Sequence, residues 1–384
     1  MKYTRIIPWK DLFSLLFFFI AALPVHAQTP DDILNLLIEN NTITREEADS
    51  LRAEAAIKKQ ATDAGIKSFP VIAGKAVKLS GYGHIRYQYL QEEGKNDGID
   101  IRRAYVDIKG DLTPYWSYRL QTDFAGTPRI VDIYSELKIN DYLNFTIGQQ
   151  LIPFSLNSFT SNTKLELADR ALAVEAFSSR KGDVLGDNNG RDIGISVYGS
   201  FFPVNNLRLV EYRIGIFNGS GINKADLNEA KDVIGRLLLH PMEGLDIGGS
   251  FYAGWTPDSA TLNNKTAPGQ LGLRQRFGAE ISYVYKFMGL KAEYLVAEDG
   301  HVKKNGYYAL LSAYALQKKL QLVCRYDAYD KNTDNEDDLA TNFTFGANYF
   351  IHSNALLQAA FKICGEEGIE VENNVASLQF QISF

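Results

Sequence analysis

The chain has 384 residues but only two cysteines, Cys324 and Cys364. Two are too few for a disulfide framework. The alternation described below also puts them at different heights on separate strands, so both are expected to be free. Beyond the N-terminus no stretch approaches the ~20 consecutive apolar residues of a membrane-spanning helix. Mean hydropathy is -0.18, which excludes a helical membrane protein. Net charge is -6, which argues against a nucleic-acid partner. Histidine is scarce: after residue 27 only His84, His240, His301 and His352 remain. No Ser-His-acid grouping, metal-ligand spacing or nucleotide-binding loop is visible, so no catalytic residue, cofactor or metal is expected. The acidic stretch 330–338 partly imitates a calcium loop, but it lacks the central glycine and has Thr341 where a bidentate glutamate should stand.

What is present begins with an export signal. Lys2, Arg5 and Lys10 precede an apolar run from Leu12 to Leu23, and Val25-His26-Ala27 follows at the cleavage positions. Residues 1–27 read as a secretory signal peptide. Residues 28–74 read as a helical prefix in the periplasm with a linker. Ile33, Leu36 and Leu37 form one stripe, and Thr44-Arg45-Glu46-Glu47 is a capping box before Ala48, Leu51 and Ala55. The stripe is too small to stabilise a domain alone. It suits a helical hairpin or spacer, or a short coiled coil between protomers.

From Val77 onward the apolar residues recur every second position, the period of a strand with one oily and one wet face. Val77, Leu79, Ile85, Tyr87 and Tyr89 alternate with Lys78, Ser80, Tyr82, His84, Arg86 and Gln88. Val131, Ile133, Leu137 and Ile139 alternate with Asp132, Tyr134, Glu136 and Lys138. The chain closes Leu378-Gln379-Phe380-Gln381-Ile382-Ser383-Phe384. The 21 Tyr, 22 Phe and 31 Gly suit tightly turning strands with aromatic girdles. Outward aromatics fall near strand ends: Trp116, Tyr142, Tyr285, Tyr349 and Phe384 at one, Tyr89, Phe124, Trp255 and Phe343 at the other. Short turns, among them Asn140–Tyr142, Pro241–Gly244 and Met288-Gly289, alternate with longer polar loops at 91–99, 152–190, 218–230, 256–273, 299–306, 330–340 and 364–374. The expectation is an all-β fold: a transmembrane antiparallel β-barrel of about sixteen strands over 75–384, in the bacterial outer membrane. A soluble β-sandwich would also alternate, but it explains neither the girdles nor the signal.

If lipid wraps the outside, the inward set carries the function. The inward bases are Lys78, Arg86, Arg103, Lys109, Arg119, Lys138, Arg213, Arg236, Arg274, Arg276, Lys286, Lys291, Arg325 and Lys362. The inward acids are Asp107, Asp123, Asp132, Glu136, Asp192, Glu211, Asp246, Glu280, Glu293 and Asp327. The wall thus leans positive, about fourteen against ten, although the protein is acidic. These charges either set a modest anion preference or pair across strands and leave little field. The segment 152–190 is the longest connection; folded inward it would narrow the pore. It carries Lys164, Arg170, Arg180 and Lys181 among the acids Glu166, Asp169, Glu175, Asp183 and Asp187. Between Tyr307 and Leu316 both faces are apolar, as at a contact between protomers.

Ile101-Arg-Arg-Ala-Tyr-Val-Asp-Ile-Lys-Gly110, Gly148-Gln-Gln-Leu-Ile-Pro-Phe-Ser155, Gly190-Arg-Asp-Ile-Gly194, Arg325-Tyr-Asp327 and the Gln379-to-Phe384 end appear in an order that resembles the phosphate-selective porin O and P family, in its Bacteroidetes version. The helical Ile43–Ala48 segment resembles that family's periplasmic prefix. The resemblance implies a sixteen-stranded, water-filled, trimeric barrel with the long loop as constriction. Asn157 departs from the family's pattern, which has an acid there, and the dense Arg and Lys arrays behind phosphate selectivity do not map onto this chain.

Three readings follow. The first is an outer-membrane porin for passive diffusion of small hydrophilic solutes with mild anion preference, a homotrimer in contact with lipid and lipopolysaccharide. Its pore would be lined by Arg86, Arg103, Lys109, Arg119, Arg213, Arg274, Arg276 and Arg325 and opposed by Asp107, Asp123, Glu136, Glu280 and Asp327. The second is a selective uptake channel for phosphate, an acidic sugar or a peptide. The third is a barrel-borne enzyme or a structural adhesin.

Overall fold

The computed structural model describes Ile38 and Ala48, both helical, and residues 71–384 apart from 73–74, 205–206, 227–228, 257–271, 317–318 and 369–370. The chain divides into two units, Met1–Phe69 and Pro70–Phe384. The expected signal peptide, capping box and prefix stripe lie outside the described residues.

The second unit is a β-barrel. After a two-residue strand β1 (Val71–Ile72), sixteen strands run β2 (Lys75–Leu90), β3 (Gly98–Thr113), β4 (Trp116–Asp123), β5 (Arg129–Lys138), β6 (Asn144–Leu151), β7 (Arg191–Val204), β8 (Leu207–Phe217), β9 (Asp232–Met242), β10 (Leu245–Thr256), β11 (Gly272–Tyr285), β12 (Met288–Asp299), β13 (Val302–Ala315), β14 (Leu320–Asp330), β15 (Leu339–His352), β16 (Ala355–Glu366) and β17 (Val375–Ser383). Each pairs antiparallel with the next, and β17 pairs with β2 from Val375↔Leu90 to Ser383↔Tyr82, so the ladder has no free edge. Closure satisfies every strand's backbone groups without water, the condition for crossing a bilayer. Among the described residues no helix is long and apolar enough to cross. Cys324 and Cys364 are free.

Alternation holds along most strands. On β2, Leu79, Ile85, Tyr87 and Tyr89 are exposed on the outer face, while His84 is buried inside. The two aromatic sets also face outward and are exposed, except Phe343, which is half-buried. Among the register shifts of the barrel, two change which side chains face inward. Opposite His84-Ile85 the register skips Arg102, so Arg102 and Arg103 both turn inward. Opposite Gln121-Thr122 it skips Val131, which was expected on the lipid face but is fully buried. A bulge inserts one residue and reverses parity beyond it, which a period-two reading cannot register.

Two connections also differ. The expected loop 299–306 is a two-residue turn, Gly300-His301, with Gly300 at φ 69 and the ladder continuing through Asp299↔Val302 and Glu298↔Lys303. The polar run Lys303-Lys304-Asn305 read as loop, but Lys304 turns inward to pair with the buried Asp299 at 3.0 Å while Lys303 is exposed. The turn expected at Met288-Gly289 lies two residues earlier, at Lys286-Phe287.

Candidate functional site

The segment after β6 folds onto the inner face of the barrel. It contains two short helices, α1 (Leu156–Phe159) and α2 (Leu172–Phe177), separated by a 3-10 turn at Asn162–Lys164. Its Ile152, Phe154, Leu167, Ala171, Val174 and Phe177 form one core with the inward-facing Phe217, Ile234, Tyr252, Leu295, Tyr308, Leu310 and Val323 of the wall. This explains the apolar inner positions near Tyr308 and Leu310: α2 packs there, so their partner is the loop rather than another protomer. The loop lies close enough that a Cβ on Gly306 would come within 2.5 Å of the Ala173 Cβ.

Wall carboxylates hold the start of both helices. Glu293 accepts the backbone N–H of Leu156 at 2.9 Å and of Asn157 at 2.7 Å, and Asp327 accepts that of Leu172 at 3.2 Å. Helix N-termini leave such donors unpaired and favour a negative charge beside them. Guanidiniums add to the anchoring. Arg276 donates to the Phe177 carbonyl at 2.8 Å and to Asp183, and Arg325 donates to the Asp169 carbonyl at 2.8 Å and to Asp327 at 2.6 Å. Arg274 pairs with the buried Asp232.

Several residues expected to line the pore are therefore structural. Arg274 and Arg276 are 0 % exposed and Arg325 2 %. They face inward, but Arg276 and Arg325 are covered by the loop they bond, and Arg274 is enclosed by Asp232 and Tyr252 of the wall. Asp327 is a helix cap, and Glu280 is buried against Arg236. Asp123 is buried and accepts the backbone N–H groups of Ala104 and Ala125 at 3.1 and 3.0 Å. Within the loop, Arg170 donates to Asn162 and to the carbonyls of Asn157 and Thr160, and Arg180 to Ser158. Both are buried and brace the loop's path, whereas Lys164 and Lys181 are exposed.

Open space remains between the loop and β2–β9. One cavity of about 490 Å³ is bounded by Ser158–Thr163 of the loop and by charged wall residues, and a second of about 720 Å³ continues it past Lys138, Arg208 and Glu211. The wall carries a chain of ion pairs. Lys109 Nζ lies 2.9 Å from Asp107, Arg119 grips Asp107 through two donors at 2.9 Å each and Asp132 at 3.0 Å, and Arg191 holds Asp132 at 3.0 Å. The pairs do not present both signs equally. The side chains of Lys109 and Arg119 are 47 % and 23 % exposed, those of Asp107 and Asp132 only 8 % and 2 %. Arg213 has no carboxylate in salt-bridge range among the described residues; its guanidinium lies 4.1 Å over Tyr198 and 5.8 Å over Phe159. Glu136, bonded to Tyr198 and Lys138, is the expected pore acid that keeps most contact with water.

Where β2 and β3 meet the loop, Arg86, Arg102 and Arg103 converge. Arg86 pairs with Asp100 at 2.6 Å, Arg103 bonds to His84, and Arg102 lies 2.6 Å from the loop carboxylate Asp169. Burial raises the Asp169 pKa, but Arg102, Lys362, Arg86 and Arg325 outweigh it and hold that carboxyl well below the usual range. The period-two reading passed over Arg102 and Arg191. A local signal existed for the first. An arginine on the lipid face costs ~2–4 kcal/mol at mid-bilayer, so two adjacent arginines in one strand imply a bulge that turns both inward.

Solved structures share this architecture. An anion-selective porin from Comamonas acidovorans superposes with a TM-score of 0.60 at 14% identity, covering 81% of this chain and 100% of its own. The outer-membrane channel DcaP of Acinetobacter baumannii gives 0.56 at 14% identity, covering 83% and 99%. OmpT of Vibrio cholerae in its trimer form gives 0.54 at 12% identity, covering 81% and 99%. At these identities the likeness establishes the fold. No curated protein matches the sequence. The sequence pattern of the phosphate-selective porin O and P family matches residues 77–384, the barrel with its infolded loop, and this chain therefore belongs to that family, as an outer-membrane porin with a channel for small solutes.

Proposed function

We propose that the channel passes small hydrophilic solutes by passive diffusion with a mild preference for anions. One observation carries this reading: the wall's bases meet the passage while the carboxylates paired with them sit beneath, as Lys109 does over Asp107. Among the described residues, five cations (Lys109, Arg119, Arg170, Arg191 and Arg213) and three carboxylates (Asp107, Asp132 and Glu136) line the 490 Å³ cavity, with Arg170 and Arg191 buried as Asp107 and Asp132 are. A surplus this small biases the passage without excluding cations. The reading has no catalytic step; the solute's gradient drives flux.

The assembly in this reading is a homotrimer in the outer membrane, with lipid and lipopolysaccharide around the exposed aromatic girdles. The trimer form of the OmpT structure supports it, because that chain shares the barrel. Residues 1–27 direct export and residues 28–74 lie in the periplasm. The test is reconstitution in a planar bilayer with a KCl gradient. A reversal potential of the sign for chloride supports the reading, and a cation-selective current, or none, overturns it.

A further inference from the structure

We propose that Phe159 is the stacking platform of a saccharide subsite at the junction of the two cavities, where a neutral pyranose ring dwells on its way through. The inference rests on the channel reading above and names one class among the small hydrophilic solutes.

Phe159 is the phenylalanine of the infolded loop that the core does not absorb. Phe154 and Phe177 are 0 % exposed and pack among the wall's inward side chains. Phe159 is half-buried and lines both cavities. An aromatic ring left against water forgoes the stabilisation that burial would give it, so folding alone does not account for its place. Its position is nonetheless firm. It ends α1, where its backbone N–H donates to the Ser155 carbonyl at 3.0 Å. The guanidiniums of Arg236 and Arg213 lie 5.3 and 5.8 Å from the ring centre. These two arginines stand opposite one another on β8 and β9, so both approach from the wall and leave ring surface to the cavities.

The surroundings suit a neutral polyol better than an ion. In the 720 Å³ cavity the charges near the ring include two pairs, Glu136 with Lys138 at 3.4 Å and Asp141 with Arg208 at 2.7 Å. Both pairs keep contact with water. Such a pair offers a donor and an acceptor side by side, which suits sugar hydroxyls because each hydroxyl is both. Towards the 490 Å³ cavity the loop edge from Ser158 to Thr163 carries hydroxyls and an amide but no charge. A pyranose presents a flat C–H face and a rim of hydroxyls, so an open aromatic face flanked by donors and acceptors matches it. A small inorganic ion would gain nothing from the ring.

The experiment is single-channel recording in KCl with glucose titrated as blocker and sorbitol, its open-chain alcohol, titrated in parallel. The two solutes are similar in size and hydroxyl content, but sorbitol has no ring to stack. The ratio of their half-blocking concentrations is read within each variant, so changes in pore width or field cancel. In wild type, glucose is expected to half-block at a concentration about fivefold below that of sorbitol. Phe159→Leu, which keeps an apolar side chain without a ring, is expected to bring the ratio to about one, and Phe159→Tyr to restore it. Phe159→Met repeats the test should the leucine variant not fold. A wild-type ratio near one, a glucose preference that survives Phe159→Leu, or a tyrosine variant that behaves as the leucine one overturns the proposal while leaving the channel intact. A wild-type protein without current overturns the channel reading and this proposal together.

Discussion

The guanidinium of Arg213 lies 4.1 Å over the ring of Tyr198 and has no carboxylate within salt-bridge distance among the described residues. Most inward arginines are paired; this one is held by an aromatic face, which positions a cation without cancelling its charge. It borders both cavities of the passage.

Replacing Arg213 with Gln should therefore weaken anion preference more than replacing Arg276, which the loop covers. The reversal potential in a KCl gradient should move roughly halfway to zero, since the narrow cavity has a surplus of about two cations. A potential equal to wild type would show that the exposed Lys109 and Arg119 carry the preference instead.

The loop's hold on the wall should appear as stability. Phe177 is fully buried in the core beneath α2. Phe177→Ala should cost about 3–5 kcal/mol, measured by urea unfolding in lipid vesicles. Glu293→Ala should cost about 1–3 kcal/mol because it strands the Leu156 and Asn157 donors. Glu293→Gln, which keeps one acceptor, should cost less. Unfolding curves that superpose on wild type would mean the loop is not anchored as described.

Close approach offers an independent check of the loop's path. Gly306→Val places a side chain where the Ala173 methyl sits and 2.6 Å from the Ala328 carbonyl oxygen of β14, so the loop lifts as β13 shifts against its neighbour. Single-channel conductance should rise and its noise increase, whereas Gly289→Val, far from α2 on the same wall, should not have this effect. Quiet currents of wild-type size from the Gly306 variant would place the loop elsewhere.

The Asp169 carboxylate supplies a pH dependence. Its folded-state pKa lies below the ordinary value near 4, so its charge stabilises the docked side chain at and above that pH. The contribution disappears only as pH falls through the lower, folded value. The difference in reversal potential between wild type and Asp169→Asn should thus stay constant from pH 7 to pH 4 and shrink only in stronger acid. A difference that vanishes by pH 5 would mean that Arg102 does not hold the carboxylate.

How much of this was legible in the chain depends on the range of the interaction. Alternation in β2, β4 and β11 settled which face each side chain takes, because strand geometry fixes that locally. The number of strands followed, as did the outward aromatics, since lipid demands apolar contact at every second position. The bulge at Arg102 was half legible: two adjacent arginines cannot both obey the period in a membrane strand. Val131 carried no such signal, because a valine is acceptable on either face.

Inwardness alone could not reveal which inward charges meet water. Arg276 and Arg119 have the same residue type and the same parity, yet the first is sealed under α2 and the second faces the passage. That difference arises where residues 152–190 lie against strands more than ninety positions away in the chain. The amino-acid sequence by itself determined a closed barrel with a charged interior, because faces and closure follow from periodic, local chemistry. Only the tertiary structure decided which arginines anchor the loop and which face the solute, because burial depends on what the chain brings back to cover them.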